Sequence, residues 1–442
     1  MSKRRRRRQL PAPSIVQIEA MSHEGRGIAH IDGKTVFVFG ALKGEEVKIQ
    51  IRKSNRNYDD AITLDVIQAS EMRINPKCEV FEICGGCSLQ HMENDEQVAF
   101  KQRSLLEMMD HAGIEIEQVI PALRSNPWGY RRKARLGVKF VRKKGRVLVG
   151  FRERNKGFLA DMSRCEVLVP QVGERLQDLA LLIESLDGRE TIPQIEVASD
   201  DSNVTLVFRH LKPLSSGDRE KLIDFARQND LWIQLQPGGP DSIVNLFPER
   251  QALYFVPLQN DDIKIRFDPV DFTQVNAGIN QQMVKQALHF LDLGKSDRVL
   301  DLFCGLGNFS LPIARRCEKE TGIEGELAMV RRARQNAIAH AIDNSEYFVA
   351  DLSQPDPEVE WMRQKYDKIL LDPPRLGALE IAQSISRFAA GIIVYVSCQP
   401  ASLVRDSRII CDNGYRLTRL GIMDMFPQTA HVESMAVFER IS

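Results

Sequence analysis

The chain has 442 residues, 43% of them hydrophobic and 27% charged, with 60 basic side chains balanced by 60 acidic ones. That composition suits globular protein and excludes wholesale disorder and collagen-like repeats; the length predicts two to four domains at roughly 100–200 residues each. No apolar run approaches the roughly 20 residues that span a bilayer, and the basic start Lys3–Arg8 leads into Gln9-Leu10-Pro11 instead of an apolar stretch. It therefore does not read as a secretory signal, and we expect a cytoplasmic chain with no membrane partner.

Charge is unevenly spread. Residues 1–70 carry a net +5, residues 71–123 a net −6 and residues 124–156 a net +12, leaving −11 for the rest. A split of this size points to a polyanion-binding end joined to a more neutral working end. Residues 1–12 read as a basic tail whose Arg4–Arg8 run suits phosphate neutralisation; the plainer alternative is a set of solvated faces.

Residues 13–70 alternate apolar positions in short runs, at Val16/Ile18, Val36/Val38, Val47/Ile49/Ile51 and Ile62/Leu64/Val66, with glycines between them. Short, evenly spaced strands of this kind predict a small β-barrel. A central segment, 71–266, opens on Cys78, Cys84 and Cys87 in a Cys-x5-Cys-x2-Cys pattern, and Cys165 is the best-placed distant fourth. In a cytosolic chain such spacing indicates metal before disulfides. Three near cysteines and one remote one suit an iron–sulphur cluster better than the paired knuckles of a zinc ribbon, although zinc stays open. Residues 92–111 predict a helix, 133–141, 146–151, 195–199 and 203–209 predict strands, and 170–186 a further helix, giving a mixed α+β domain. Pro237-Gly-Gly-Pro240 marks a turn.

From 267 to 442 the pattern becomes strand–helix alternation, which predicts a doubly wound, Rossmann-like α/β domain. Arg298–Phe303 reads as a buried strand that runs into Cys304-Gly305-Leu306-Gly307-Asn308. Glycines at such a strand-to-helix turn let a ligand approach the backbone, and Glu324, 19 residues after Gly305, stands where an acid can meet ribose hydroxyls. Ser310 replaces the third glycine of a dinucleotide fingerprint, so a nucleoside ligand without pyrophosphate fits best, above all S-adenosylmethionine. Asp351, after the third strand, is then placed for the adenine.

Two later strand ends converge on the same crevice. Lys368–Leu371 delivers Asp372-Pro-Pro-Arg375; the absence of an aromatic after the prolines disfavours amine methylation. Ile392–Ser397 delivers Cys398. A thiolate is a strong nucleophile, and its addition to carbon 6 of a pyrimidine makes carbon 5 nucleophilic towards a methyl donor. Removal of the carbon-5 proton needs a base, for which His431 and Glu433 are both candidates on the residues alone.

These pieces together resemble the RNA 5-methyluridine methyltransferase family, and more narrowly its 23S ribosomal RNA members with a TRAM domain and a [4Fe-4S] cluster. The resemblance rests on Cys78-x5-Cys-x2-Cys, Pro127-Trp-Gly-Tyr-Arg-Arg132, Asp271-Phe-Thr-Gln-Val-Asn276, Asp301-Leu-Phe-Cys-Gly305, Leu371-Asp-Pro, Ser397-Cys-Gln-Pro and His431-Val-Glu-Ser-Met435. It implies a TRAM barrel over 14–68 and a cluster on Cys78, Cys84, Cys87 and Cys165. It implies cofactor contacts at Gln274, Phe303, Asn308, Glu324, Asp351 and Asp372, with Cys398 as nucleophile and Glu433, in preference to His431, as base. It also implies that 92–122 packs towards the methyltransferase domain. The chain departs from the common Asp-Pro-Ala-Arg and Ser-Cys-Asn-Pro at Pro374 and Gln399, which touches fine geometry and not the reactive residues.

The expected substrate is therefore 23S ribosomal RNA presenting an unpaired or flipped uridine, and the chain is expected to act as a monomer. The alternatives are a transfer-RNA 5-methyluridine enzyme, an RNA 5-methylcytidine enzyme (which would show Pro-Cys after the fourth strand, where Pro373-Pro374 stands) and an RNA-binding protein without catalysis.

Overall fold

The computed structural model describes residues 11–250 and 252–441; the Arg4–Arg8 run lies outside them. The chain forms two compact units. Of the described residues, one takes in those up to Lys101 with Glu153–Lys156 and Pro427–His431, and the other takes in those of Gln102–Arg152, Gly157–Phe426 and from Val432 onwards. Among the described residues no helix is long and apolar enough to cross a membrane.

In the first unit, six strands (Ser14–Gln17, Ala20–Met21, Gly27–Ile31, Lys34–Phe39, Glu46–Ser54 and Tyr58–Gln68) form one sheet. Their alternating residues Val16, Val36, Val38, Val47 and Ile49 gather with Ile18 in a single core, as period-two patterning requires. Gly27–Ile31 escapes the sequence pattern because its two inward positions are the small residues Gly27 and Ala29. A Cβ at Gly27 would stand 2.9 Å from Ile18 Cγ2, so the strand packs closely where a larger residue cannot.

The cysteine loop belongs to this unit and is turned by bonds from Phe81 N to Cys78 O and from Cys84 N to Val80 O. Near its end the chain returns to the same unit: Gln428 N donates to Gln97 Oε1 at 2.9 Å while Gln97 Nε2 donates to Gln428 Oε1 at 3.0 Å. The predicted helix over 92–111 is present as Asn94–His111.

The second unit holds two principal sheets. One has six strands, including Lys133–Val141, Arg146–Gly150, Gln194–Ser199 and Val204–Arg209 as the sequence predicts. The single helix predicted over 170–186 is instead two, Pro170–Gly173 and Leu176–Glu184, parted at Glu174 and the non-helical Arg175. Gly173 is needed at the break, since a Cβ there would meet Cys165 O at 2.4 Å.

The other sheet contains β1 (Arg298–Leu302), β2 (Lys319–Glu324), β3 (Ser345–Val349), β4 (Lys368–Leu371), β5 (Ile392–Ser397), β6 (Tyr415–Met423) and β7 (Glu433–Arg440). Its order is β3-β2-β1-β4-β5-β7-β6, followed by the short strand Gln118–Val119. β1 to β5 are parallel, and β7 runs antiparallel between β5 and β6. Here the fold departs from a purely parallel sheet, because no helix intervenes between β6 and β7. Met283 and Val284 of helix Ala277–Leu291 pack with Val299, Leu370, Val394 and Val437 of the sheet. The chain reverses its direction of winding between β1 and β4, which places a ligand crevice at their carboxyl ends.

Candidate active site

Three strand ends meet at this crevice. Beyond β1, Phe303 adopts φ +67° and is followed by Gly305 at +55° and Gly307 at +94°. A left-handed phenylalanine stores strain of the kind found at functional turns. A Cβ on Gly305 would meet nothing within 4 Å, so the space over the turn is open to a ligand. Glu324, at the end of β2, accepts from Gly305 N and Glu326 N, both at 3.1 Å. Its carboxylate is thereby fixed against the glycine turn.

Asp372 follows β4, its N–H bonded to Leu302 O at 3.2 Å. Burial and the neighbouring Glu324 push its carboxyl up to about 7. Asp301, within β1 and fully buried, is also raised to about 7 by burial, with Asp372 and Glu324 adding to the effect. Ser310 Oγ donates to its Oδ2. Three carboxyl groups thus share this site, where burial and like charge raise Asp301 and Asp372, which suits a cationic ligand with ribose hydroxyls. Sequence reasoning missed Asp301 as a site residue; the signal was an acid inside an otherwise apolar strand.

The glycine turn is tied to a neighbouring helix by a reciprocal amide pair. Asn308 Nδ2 donates to Asn280 Oδ1 at 2.9 Å, and Asn280 Nδ2 returns a bond to Asn308 Oδ1 at 3.0 Å. Asn280 also lines a small pocket with Gln274, Thr273 and Ala277, so the predicted Gln274 and Asn308 are linked through it. Asn280 lies one helical turn after Asn276, which caps the helix by accepting from Ile279 N; that spacing was its signal. The preceding loop is fastened by Arg332 to Asp271 at 3.0 Å and to Asp268. Asp351 is exposed and held low by bonds from the Ser353 hydroxyl and N–H.

Cys398 follows β5. The antiparallel register pairs Ser397 with Ser434, so the next step along the two strands sets Cys398 beside Glu433. Burial pushes the Cys398 thiol up to about 12, Glu433 and Asp372 add to the shift, and Arg375 opposes it. Glu433 is buried at 8% exposure. His431 is exposed and belongs to the first unit, where its N–H bonds Thr429 Oγ1. A thiol and a buried carboxylate therefore adjoin the carboxyl nest, an arrangement able to form and release a covalent adduct.

In the first unit, Cys84 accepts from Gly86 N at 3.4 Å. Arg154 lies 3.7 Å over the Phe39 ring and donates to the carbonyls of Cys84 and Cys87. Cys165, buried in the second unit, donates its N–H to Gly173 O at 2.7 Å. Among the described residues no three His, Cys, Asp or Glu side chains are grouped as a site for a metal ion.

Comparison with known proteins fits this geometry. The model of the tRNA (Uracil-5-)-methyltransferase family matches residues 197–441, and that of the TRAM domain matches 15–63. The chain belongs to the RNA uracil-C5 methyltransferase family. Within it, this chain is 48% identical over 429 residues to a 23S rRNA (uracil(1939)-C(5))-methyltransferase of Xylella fastidiosa, covering 96% of this chain and 97% of that one. It is 48% identical to the protein of the same name from Hahella chejuensis, with 99% of both chains covered. The crystal structure of Pyrococcus abyssi tRNA (uracil-54, C5)-methyltransferase in complex with S-adenosyl-L-homocysteine shares the fold, with a TM-score of 0.72 at 22% identity over 96% of this chain and 99% of that one.

Proposed function

We propose that this chain transfers a methyl group from S-adenosylmethionine to carbon 5 of a uridine in 23S ribosomal RNA, at the site its relatives' names give as uracil 1939. The observation that carries the reading is the placement of Cys398 beside Glu433 next to the carboxyl nest. The 48% identity to the Xylella and Hahella enzymes favours ribosomal over transfer RNA, and Pro373-Pro374 in place of Pro-Cys disfavours cytidine.

The chain's own residues would share the work as follows. Glu324 holds the ribose hydroxyls, the open turn at Gly305 admits the nucleoside, and Asp301 and Asp372 supply negative charge to a cationic donor. Phe303, Asn308, Gln274 and Asp351 complete its surroundings. When bound, S-adenosylmethionine supplies an electrophilic methyl group. Cys398 gives its proton to solvent water and its thiolate adds to carbon 6 of the uracil, pushing the ring's electron pair towards carbon 5. Carbon 5 takes the methyl as the donor's sulfur–methyl bond breaks. Glu433 then removes the carbon-5 proton, the carbon 5–carbon 6 double bond re-forms and the thiolate leaves. The uridine must be unstacked for Cys398 to reach it, since chemistry on a base requires its extrusion.

Cys78, Cys84, Cys87 and Cys165 are the proposed ligands of a [4Fe-4S] cluster. Support comes from the Gly86 N–H bond to sulfur and from the buried Arg154 charge beside Cys84 and Cys87, surroundings that offset thiolate charge. We further propose that the chain works as a monomer in the cytoplasm.

The decisive experiment offers stripped 23S ribosomal RNA and transfer RNA to the enzyme with a methyl-labelled donor and maps the product. Label at the ribosomal uridine is expected. Label confined to transfer RNA, or on cytosine, overturns the reading.

A further inference from the structure

Between β4 and the helix Leu379–Ser384 the chain makes a turn through Arg375, Leu376 and Gly377. Leu376 is 82% exposed, more than any other large hydrophobic residue among those described. A lone exposed leucine ordinarily needs no explanation; this one differs in how firmly it is held. Arg405 Nη2 donates to Leu376 O at 2.8 Å, and Gly377 N donates to Pro374 O at 2.8 Å. Asp406, fully buried, accepts at Oδ2 from Ala378 N and from Tyr395 OH, both at 2.7 Å, and at Oδ1 from Arg405 Nε at 2.8 Å.

Gly377 sits at φ +78°, and a Cβ there would stand 2.4 Å from Asp406 Oδ2. The carboxylate therefore presses directly on the turn, where only glycine fits. Burying an ionised carboxylate is costly unless its oxygens are fully bonded. Here three donors meet that cost and stiffen a turn whose tip is apolar and solvent-facing.

The position of the tip gives it a use. A Cβ on Gly377, the residue after Leu376, would also stand 2.9 Å from Ser402 Cβ, four residues after Cys398. The helix Pro400–Asp412, which carries Asp406, begins two residues after that cysteine. One buried carboxylate thus sets the turn after β4 against the segment that presents the thiol.

We propose that Leu376 is a wedge for RNA: on binding it enters the base stack at the place the target uridine leaves. Apolar side chains that unstack bases in this way are a known device of nucleic-acid-binding proteins, and a wedge must be rigid to work. The inference rests on the proposed uridine chemistry and deepens it, by assigning the residue that drives extrusion and Asp406 as the residue that positions it.

The test uses the full-length enzyme and two short RNAs, one with the target uridine stacked between 2-aminopurines and one with it between abasic sites. Leu376→Ala should raise KM about tenfold on the stacked RNA with little change in kcat, and should abolish the 2-aminopurine fluorescence rise that the wild type produces on binding. On the abasic RNA the variant should match wild type, because there is no stack to open. Leu376→Met should restore both readouts. Asp406→Asn should reproduce part of the KM rise, and if that variant unfolds, the exposed Leu376 decides alone. Equal kinetics of Leu376→Ala and wild type on stacked RNA overturn the proposal, as does an equal loss on both RNAs. If wild type methylates neither RNA at uridine, the activity itself is wrong and the wedge falls with it.

Discussion

Ser397 and Ser434 face each other across an antiparallel pair, and this register places Cys398 and Glu433 as neighbours although 34 residues separate them in sequence. β7 slots between β5 and β6, so the end of β5 and the start of β7 coincide. The proposed nucleophile, directly after β5, and the proposed base, at the start of β7, are thereby held by adjoining strands, which keep a geometry better than free loops do.

The two residues should fail differently when replaced. On the proposed mechanism Cys398→Ala abolishes both methylation and any covalent RNA complex. Glu433→Gln still permits addition and methyl transfer, and a methylated complex that survives denaturing gels should accumulate. His431→Ala should retain turnover. A trapped methylated complex from His431→Ala, together with rapid turnover in Glu433→Gln, would reverse the assignment.

The carboxyl nest predicts a pH dependence of cofactor binding. With Asp301 and Asp372 both near 7 in the free protein, a cationic donor binds best once they ionise. Affinity for S-adenosylmethionine, measured by calorimetry, should rise up to about tenfold per unit through pH 6–7 and then level. The apo protein should show the opposite trend in stability. A carboxyl raised in the folded state binds more protons there than in the unfolded chain, so its contribution is fullest below about 4 and declines towards 7. Asp372→Asn should flatten both curves; an affinity independent of pH in the wild type would remove the nest from cofactor binding.

Much of this site was legible because its residues lie at strand ends, where periodicity changes character. Gly305, Glu324, Asp372 and Cys398 each close a recognisable apolar run. What stayed hidden was set by pairing between distant segments. Glu433 could not be separated from His431 on the residues alone, since only the β5–β7 register places one of them at the thiol. Asn280 and Asp406 are ordinary polar residues on helices, and their partners Asn308 and Ala378 each lie 28 positions away. The first-unit strand at Gly27 was lost because close packing against Ile18 leaves room only for small inward residues, Gly27 and Ala29, which carry little apolar signal.

The reciprocal amide pair offers a further test. Asn280→Ala removes both of its bonds to Asn308 and frees the glycine turn, and each lost buried bond costs about 1 kcal/mol or more. We expect weaker S-adenosylmethionine binding, roughly tenfold, with RNA affinity unchanged. Equal cofactor affinity in variant and wild type would show that the pair serves packing alone.

The +12 stretch over 124–156 is partly neutralised in the folded chain. Arg132 pairs with Asp201 at 2.5 Å, Arg135 with Glu196 at 2.9 Å and Arg142 with Glu190 at 2.8 Å. RNA affinity should still fall with salt through phosphate contacts, but with a slope well short of that expected from all 13 basic residues. Deleting residues 1–9 should reduce the slope further. A salt-independent affinity would assign the whole stretch to solvated surface.

The cysteine loop yields the last prediction. Protein purified without oxygen should be brown, hold about four irons per chain and lose them on Cys87→Ala or Cys165→Ala. Arg154 should matter to such a cluster without touching the methyl chemistry. Its guanidinium is largely buried, stacked on Phe39 and bonded to the carbonyls of Cys84 and Cys87, so its charge lies beside the thiolates in a region of weak screening. A nearby cation favours the more negative, reduced state. Arg154→Met should therefore lower the cluster's reduction potential while iron content and S-adenosylmethionine affinity stay at wild-type values, and electrochemical titration followed by electron paramagnetic resonance would measure the shift. A colourless anaerobic preparation with one zinc per chain would remove the cluster, whereas an unchanged potential in a fully loaded Arg154→Met protein would remove only the role of the arginine.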